Sequence, residues 1–355
     1  KVYEIPNDQP NAFATGRNPK LIAKGRKEGS NFLRHQELGK CPNLKEVPFE
    51  WSKSKKQEYS ESKHIKHRTL RKVDKVLGTL LITIFRHLSL FVGAILRREH
   101  DITKIKKSIT VIKMLGGGSV FIALPSLLAI RKQYPNIRMI FVGQKTSIHY
   151  AELTGIFDEY VEIKTNSIIE LTISSALALK HVFGTDLTID LEIYSKMTSL
   201  FSLFSCAKNR LGFYEEYSSW QRGILTHALF INDSAPIHIF YQQVASLLNA
   251  PINQPLDIYK YLVQHNKFNY HKPTSNVQAI SLGCFSSELC PEREFSATQW
   301  SKIIAAHNYK DLKKIVILGG KADIKKAEVL IKELQNYNQE AKVVNLVGQL
   351  TLHES

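Results

Sequence analysis

From about residue 105 onward, short β-branched runs alternate with stretches of helical character, and this alternation limits the available folds more than any other feature of the chain. SITVIKM (108–114) reads as a buried strand, residues 120–134 as a helix, and IRMIFVG (137–143) as the next strand. LTIDLEI (187–193) and NRLGFY (209–214) supply later strands, each set off by a helical or loop stretch. Repeated βα units require a parallel sheet covered on both faces, because each crossover lays its helix on the sheet. A segment rich in Pro, Asn and Gln breaks the rhythm near residues 251–275. A second series follows, with strands in VQAISLG, KKIVILGG and AKVVNLVG and helices near 296–309 and 322–336. The expected architecture is therefore α/β, with two Rossmann-like lobes at 105–250 and 276–355 and substrate held between them at the carboxyl ends of the strands.

The residues before 105 have another character. The chain of 355 residues carries a formal charge of +16, and residues 17–75 hold 17 Lys and Arg against 7 Asp and Glu, with little apolar periodicity. Residues 1–75 are expected to be a basic, mostly irregular arm, and 76–104 a helix. Within the latter, VLGTLLITIFRHLSLFVGAIL (76–96) is long enough to span a bilayer, but Arg86 and His87 sit at its middle, where charge is costly. A helix lying on an anionic membrane surface, or docked on the following domain, fits the basic flanks better. Nucleic acid is not the expected anionic partner, since the basic residues are not interleaved with aromatics on a recognisable module. Four scattered cysteines without a CxxC pair suggest a reduced, cytoplasmic setting, and no metal site or cofactor is expected.

The turn KMLGGGSV (113–120) joins the first strand to the first helix. It is not a dinucleotide fingerprint, because Phe121 stands where the third glycine belongs, and no Gly-Lys-Ser/Thr follows to make a P-loop. Gly117 and Gly118 allow close backbone approach and lead into a helix N-terminus, which suits either packing or an anionic ligand.

The spacing of Lys113, Gly118, Val120 and Pro125, followed by LLAIRKQYP, resembles the first motif of family 9 glycosyltransferases, the group that contains the lipopolysaccharide heptosyltransferases. TDLTIDLEIYSKMTSLFSLFSCAKNRLGFY (185–214) resembles that family's middle motif. SSELCPEREFSATQW, IVILGG and VVNLVGQLTLHE follow in the family's order. The resemblance covers residues 105–355 and implies a GT-B fold. It also implies inverting, metal-independent transfer of a sugar from a nucleotide diphosphate to a lipid-linked anionic saccharide acceptor. The setting would be the inner face of the bacterial inner membrane, in lipopolysaccharide biosynthesis; ADP-heptose is the donor of the best-known members.

Inverting transfer needs a base for the acceptor hydroxyl and a cation for the departing diphosphate. Where better-known members have an aspartate after the motif glycine, this chain has Ser119. Glu192 is the expected base and Asp190 the alternative; a helix-capping Asp190 and an ion-paired Glu192 are the structural readings of the same residues. Arg293 matches the family's diphosphate cation, with Ser286 and Ser287 as donors before it and Gly319 and Gly320 beside the nucleotide. Lys196 and Ser199 are acceptor-side candidates, or simply an exposed helix face. The family's closing nucleotide-sugar motif would follow LVGQLTLHE, so the second lobe is expected to be incomplete, which leaves the activity of this chain open. A catalytically inactive binder of sugar nucleotides or membrane surfaces with the same fold is the alternative function, and a nucleic-acid-binding protein ranks behind it. Residues 1–19 resemble the segment that precedes the metal-binding helix in HtpX-type zinc metallopeptidases, but the chain has no HExxH.

Overall fold

In a computed structural model, the described residues are 2–3, 65–96, 100–214, 220–221, 223–231, 236–250, 252, 257–266, 278–286, 294–306, 312–337, 341–351 and 354. The HtpX-like segment, apart from Val2 and Tyr3, and most of the basic arm lie outside them. The chain divides into two compact units. One comprises 1–58 and 70–265, the other 59–69 and 266–355.

The first unit is built on strands β1 (Val2–Tyr3), β2 (Ser108–Ile112), β3 (Arg138–Gly143), β4 (Glu159–Glu162), β5 (Leu187–Asp190), β6 (Asn209–Tyr214) and β7 (His227–Phe230). They form one sheet in the order β1-β7-β6-β5-β2-β3-β4, with every pairing parallel. Its helices are α1 (Ile65–Leu96, whose first five residues count with the other unit), α2 (Gly118–Gln133), α3 (Lys145–Thr154), α4 (Ile168–Val182), α5 (Lys196–Phe204), α6 (Ile237–Leu247) and α7 (Ile258–Asn266, ending at the boundary).

Strand alternation sorts the core onto the two faces of this sheet. Ile109, Val111, Met139 and Phe141 point to one side, where they pack with Val120, Leu124 and Leu127 of α2 and with Tyr241 and Val244 of α6. Ile112, Ile140 and Val142 point to the other, against Ala178 and Val182 of α4 and Phe201 of α5. The central strands β2, β3 and β5 are almost wholly buried, which accounts for their nearly unbroken apolar sequences. Outside α5, Ile82 of α1 joins Leu200 and Ile224 in a smaller cluster with Phe85, Met197 and Phe204 at its edge.

The second unit holds β8 (Gln278–Gly283), α8 (Ala297–Ala306), β9 (Leu312–Leu318), a short 3-10 turn (Lys321–Asp323), α9 (Ile324–Tyr337) and β10 (Lys342–Asn345). Its parallel sheet runs β10-β9-β8 over a separate core that includes Ile315, Ile317, Ala327 and Leu330.

Two local expectations change. Helix α1 begins at Ile65, a full eleven residues before the apolar run, so the end of the basic stretch is helical. Within 251–275, read as linker, Ile258–Asn266 form α7, and the Tyr261 hydroxyl donates to the Thr154 carbonyl at 2.8 Å. That helix was hidden because a run of Tyr, Lys and His between Pro- and Asn-rich flanks has a weak apolar period.

Candidate functional site

Strands β2, β3 and β4 are laid down in one direction across the first sheet, and the chain then returns to place β5 on the other side of β2. At this reversal the loops leaving neighbouring strands turn to opposite faces, so a crevice opens outside the carboxyl ends of the strands. The reversal falls between β2 and β5, where Ile112 pairs with Asp190. The residues that follow are the glycine turn on one side and Leu191–Ser195 on the other.

Glu192 joins the two loops. Its Oε1 accepts hydrogen bonds from the backbone amides of Met114 and Leu115, both at 2.8 Å, and pairs with Lys113 Nζ at 3.0 Å. Both charged side chains are largely buried, so the attraction is poorly screened; such a pair holds only while each partner keeps its mate. The carboxylate thus fixes the start of the glycine turn to the end of β5.

Asp190 lies deeper, at 1% exposure. Its Oδ1 accepts from the Glu192 amide at 3.0 Å, and its Oδ2 accepts from Thr198 Oγ1 at 2.9 Å and Ser199 Oγ at 3.2 Å. Burial pushes its pKa up to about 7, helped by the charge of Glu192 and opposed by the hydrogen bonds. A carboxyl poised near neutrality at the end of a central strand is able to hold or release a proton under physiological conditions.

The glycine turn is tight. Gly116 has φ +76°, in the left-handed region that favours glycine. A Cβ on Gly117 would lie 2.0 Å from the Tyr150 ring, whereas one on Gly118 would meet nothing within 4 Å. The second glycine therefore serves packing, and the third opens onto free space. Ser119 and Val120 donate their amides to the Gly116 and Gly117 carbonyls at 2.9 Å, and the Ser119 hydroxyl also donates to Gly116 O. Ser119 is thereby engaged in closing the turn.

One residue here had no signal in the sequence. Tyr241, on α6, is 1% exposed, and its buried hydroxyl lies beside Ser119, with no hydrogen bond of good geometry among the described residues. Burial, and next the field of Glu192, push its pKa up to about 12, while Ser119 acts the other way. A buried phenol that stays protonated keeps its O–H as a hydrogen-bond donor. In IHIFYQQVASLL it looks like any core aromatic; only the packing of α6 against α2 brings it to the turn.

Lys196 and Ser199 are the first and fourth residues of α5. Lys196 Nζ donates to Thr79 Oγ1 of α1 at 2.9 Å, and Ser199 donates to Asp190. In the second unit, Ser286 follows β8, and its amide donates to Glu294 Oε1 at 2.9 Å; Glu294 in turn pairs with Lys326 at 2.8 Å. Although burial favours its neutral form, Lys326 and the Ser286 amide hold the Glu294 carboxyl below its usual range. Gly319 lies under the Phe285 ring, where a Cβ would approach to 2.7 Å, and the Gly320 amide donates to Asp323 at 3.0 Å. Ser286 and the two glycines thus share the carboxyl end of the smaller sheet. Ser287 and Arg293 lie outside the described residues. Among the described residues no group of His, Cys, Asp and Glu is arranged to hold a metal ion.

Two α/β units, each with a wholly parallel sheet, define the class: this is the fold of GT-B-like glycosyltransferases. In particular, the chain is similar to a family 9 glycosyltransferase from Veillonella parvula, with TM-score 0.52 and 15% identity over 72% of this chain and 73% of that one. It is also similar to the E. coli heptosyltransferase WaaC solved with ADP, with TM-score 0.51 and 12% identity over 68% of this chain and 75% of that one. At these identities the likeness is one of fold. No protein-family model matches the chain, the segment 1–19 included, and no curated protein matches it.

Proposed function

We propose that the chain is a glycosyltransferase that moves a sugar from a nucleotide diphosphate to a lipid-linked anionic saccharide acceptor, with inversion and without a metal. The observation that carries this reading is the convergence of the glycine turn, Ser119, Glu192, Asp190 and Tyr241 on the β2/β5 reversal of the first unit. Glu192 is the proposed base, acting through Oε2 because Oε1 already holds three donors, and Asp190 is the alternative. Ser119 and the Tyr241 phenol are hydrogen-bonding groups for the acceptor, over the open backbone at Gly118. Lys196 and Ser199 become positioning residues, one for α1 and one for Asp190. The proposed diphosphate contacts are Arg293, with Ser286 and Ser287, and the backbone at Gly319 and Gly320. Arginine suits that role through its fixed fork of donors. An adenine nucleotide such as ADP-heptose is the first donor to try, since the E. coli relative was solved with ADP.

A non-catalytic sugar-nucleotide binder is the second reading. It is favoured by the engagement of Ser119 with Gly116 O and of Glu192 with Lys113. Two measurements separate these readings. A melt of the full chain with ADP, UDP, GDP and their sugar conjugates should show stabilisation by one nucleotide; about 2.7 kcal/mol is expected at one hundred times its Kd. If none of them shifts the melt, both readings fall. Where one binds, Glu192→Gln keeps an oxygen for the Met114 and Leu115 amides while removing the basic group. Transfer should then drop about 100-fold or more with nucleotide binding intact. A binder without transfer in the wild type would leave the second reading standing.

A further inference from the structure

Helix α1 has two faces with different fates. One is fastened to the first unit: Asp74 accepts from Ser195 Oγ at 3.0 Å, the Lys196 amide at 3.3 Å and the Met197 amide at 2.9 Å, and Ile82 is buried against Leu200 and Ile224. Arg86 also turns this way; its side chain runs close to Gly223 and its Nε is buried. The opposite face carries Leu77, Leu80, Ile84, Leu88, Phe91 and Ile95, spaced three or four residues apart and 43–65% exposed. This is an unbroken apolar stripe about 27 Å long at 1.5 Å per residue. Thr79 and Thr83 give their hydroxyls to the helix's own carbonyls, so neither leaves a polar demand beside it.

Residues 74–92 are apolar and long enough to cross a membrane, with mean hydropathy 1.5. Crossing is nevertheless excluded by the other face, because the Asp74 and Lys196 contacts would carry part of a folded, polar unit into hydrocarbon. A stripe of this size on a monomer marks a binding surface. Its occupant is identified by charge. Helix α1 contains six Lys and Arg and one acid, Asp74, whose carboxylate is already committed to α5. Arg97 and Arg98 follow directly, so a second copy in either orientation would set cations against cations.

We infer that α1 is an in-plane anchor which lays its Leu77–Ile95 stripe into the headgroup boundary of an anionic bilayer while its other face holds the first unit at the surface. Apolar burial supplies insertion and the basic N-terminal turns supply attraction to anionic lipid. Ile169, Ile173 and Leu177 of α4 are also exposed and lie on the same side of the sheet as α5, adding apolar surface on that side. The inference is independent of which sugar, if any, the chain transfers.

The test is flotation of the full chain with vesicles of phosphatidylcholine alone and with 30% phosphatidylglycerol, at low and high salt. The protein should float with the anionic vesicles, less so at high salt, and Leu80→Ser/Ile84→Ser/Leu88→Ser should lower partitioning about 100-fold with an unchanged melt. Should the triple variant unfold, Ile84→Trp gives the same answer: brominated lipid should quench the variant's emission beyond any quenching of the wild type's three tryptophans. The inference is overturned by a wild type that floats with neither vesicle, by partitioning that the triple variant leaves intact, or by a wild-type dimer that the same substitutions dissociate.

Discussion

Gly117 and Gly118 are neighbours with opposite reasons for being glycine, and a methyl group tells them apart. At Gly117 it would drive into the Tyr150 ring, and Gly117→Ala should cost about 1–3 kcal/mol, read as a lowered Tm. Gly118→Ala meets open space and should leave the Tm unchanged while impairing transfer, because only a bound acceptor would feel it. Equal effects of the two on stability would show that the turn is packing throughout. Asp190 makes a prediction in pH. Its folded pKa, near 7, lies above the unfolded value of about 3.9. The native state therefore keeps a proton that the unfolded chain releases. The stability this gives is full below about pH 4 and is lost as pH rises to about 7. Asp190→Asn should flatten that decline, so that the variant gains on the wild type from pH 5 to pH 8 in paired thermal melts. Parallel melting curves would remove the buried proton. Spacing and residue type brought Asp190 and Glu192 forward as a pair, but their division of labour was illegible in the sequence. Whether a carboxylate caps, clamps or titrates depends on which donors the fold turns toward it: for Glu192 the Met114 and Leu115 amides just after β2, and for Asp190 its neighbour's amide and the Thr198 and Ser199 hydroxyls of α5.

Among the elements, α5 borrows its N-terminal cap from another helix. Ser195 donates its hydroxyl to Asp74 and also accepts from the Thr198 amide, while Asp74 takes the Lys196 and Met197 amides. Asp74→Ala removes the carboxylate that satisfies these donors and should cost about 1–2 kcal/mol. Because the same carboxylate ties down α1, it should also speed protease cutting there; Asp74→Asn should recover part of both effects. A variant with wild-type melting and cutting would show that α1 is held without Asp74, by its apolar packing and the Lys196–Thr79 contact. The buried strands were readable because β-branched runs with no polar alternation have few other homes. The long α1 was half readable. Its apolar length stood out, but one helix facing both a core and open surface gives a pattern that composition assigns to a membrane span or to a core with equal ease. Long-range contacts such as those of Asp74, 121 to 123 residues apart in the chain, distinguish them.

For the whole molecule, topology and charge point to different parts of the chain. The parallel order follows from the βα rhythm, since right-handed crossovers permit few other arrangements, whereas the β2/β5 reversal is seen only in the folded sheet. Tyr241 could not be anticipated either, because helix-to-helix packing across the sheet face leaves no periodic trace. The charge is lopsided: the excess of ten cations between residues 17 and 75 is more than half of the net +16. Any affinity for polyanions should therefore reside in this stretch and be unspecific, released with the counterions of the phosphates it meets. Full chain bound to a DNA duplex should weaken steeply between 50 and 200 mM salt, by roughly 10³-fold or more if six or more phosphates are contacted. A chain starting at Ile65, which keeps the whole of α1 and lacks only the two-residue edge strand β1 of the first sheet, should lose most of that retention at 50 mM salt while still melting cooperatively. Retention that survives the deletion would place a nucleic-acid surface on the folded units, and the sugar-transfer reading would then have to share the molecule with a second partner.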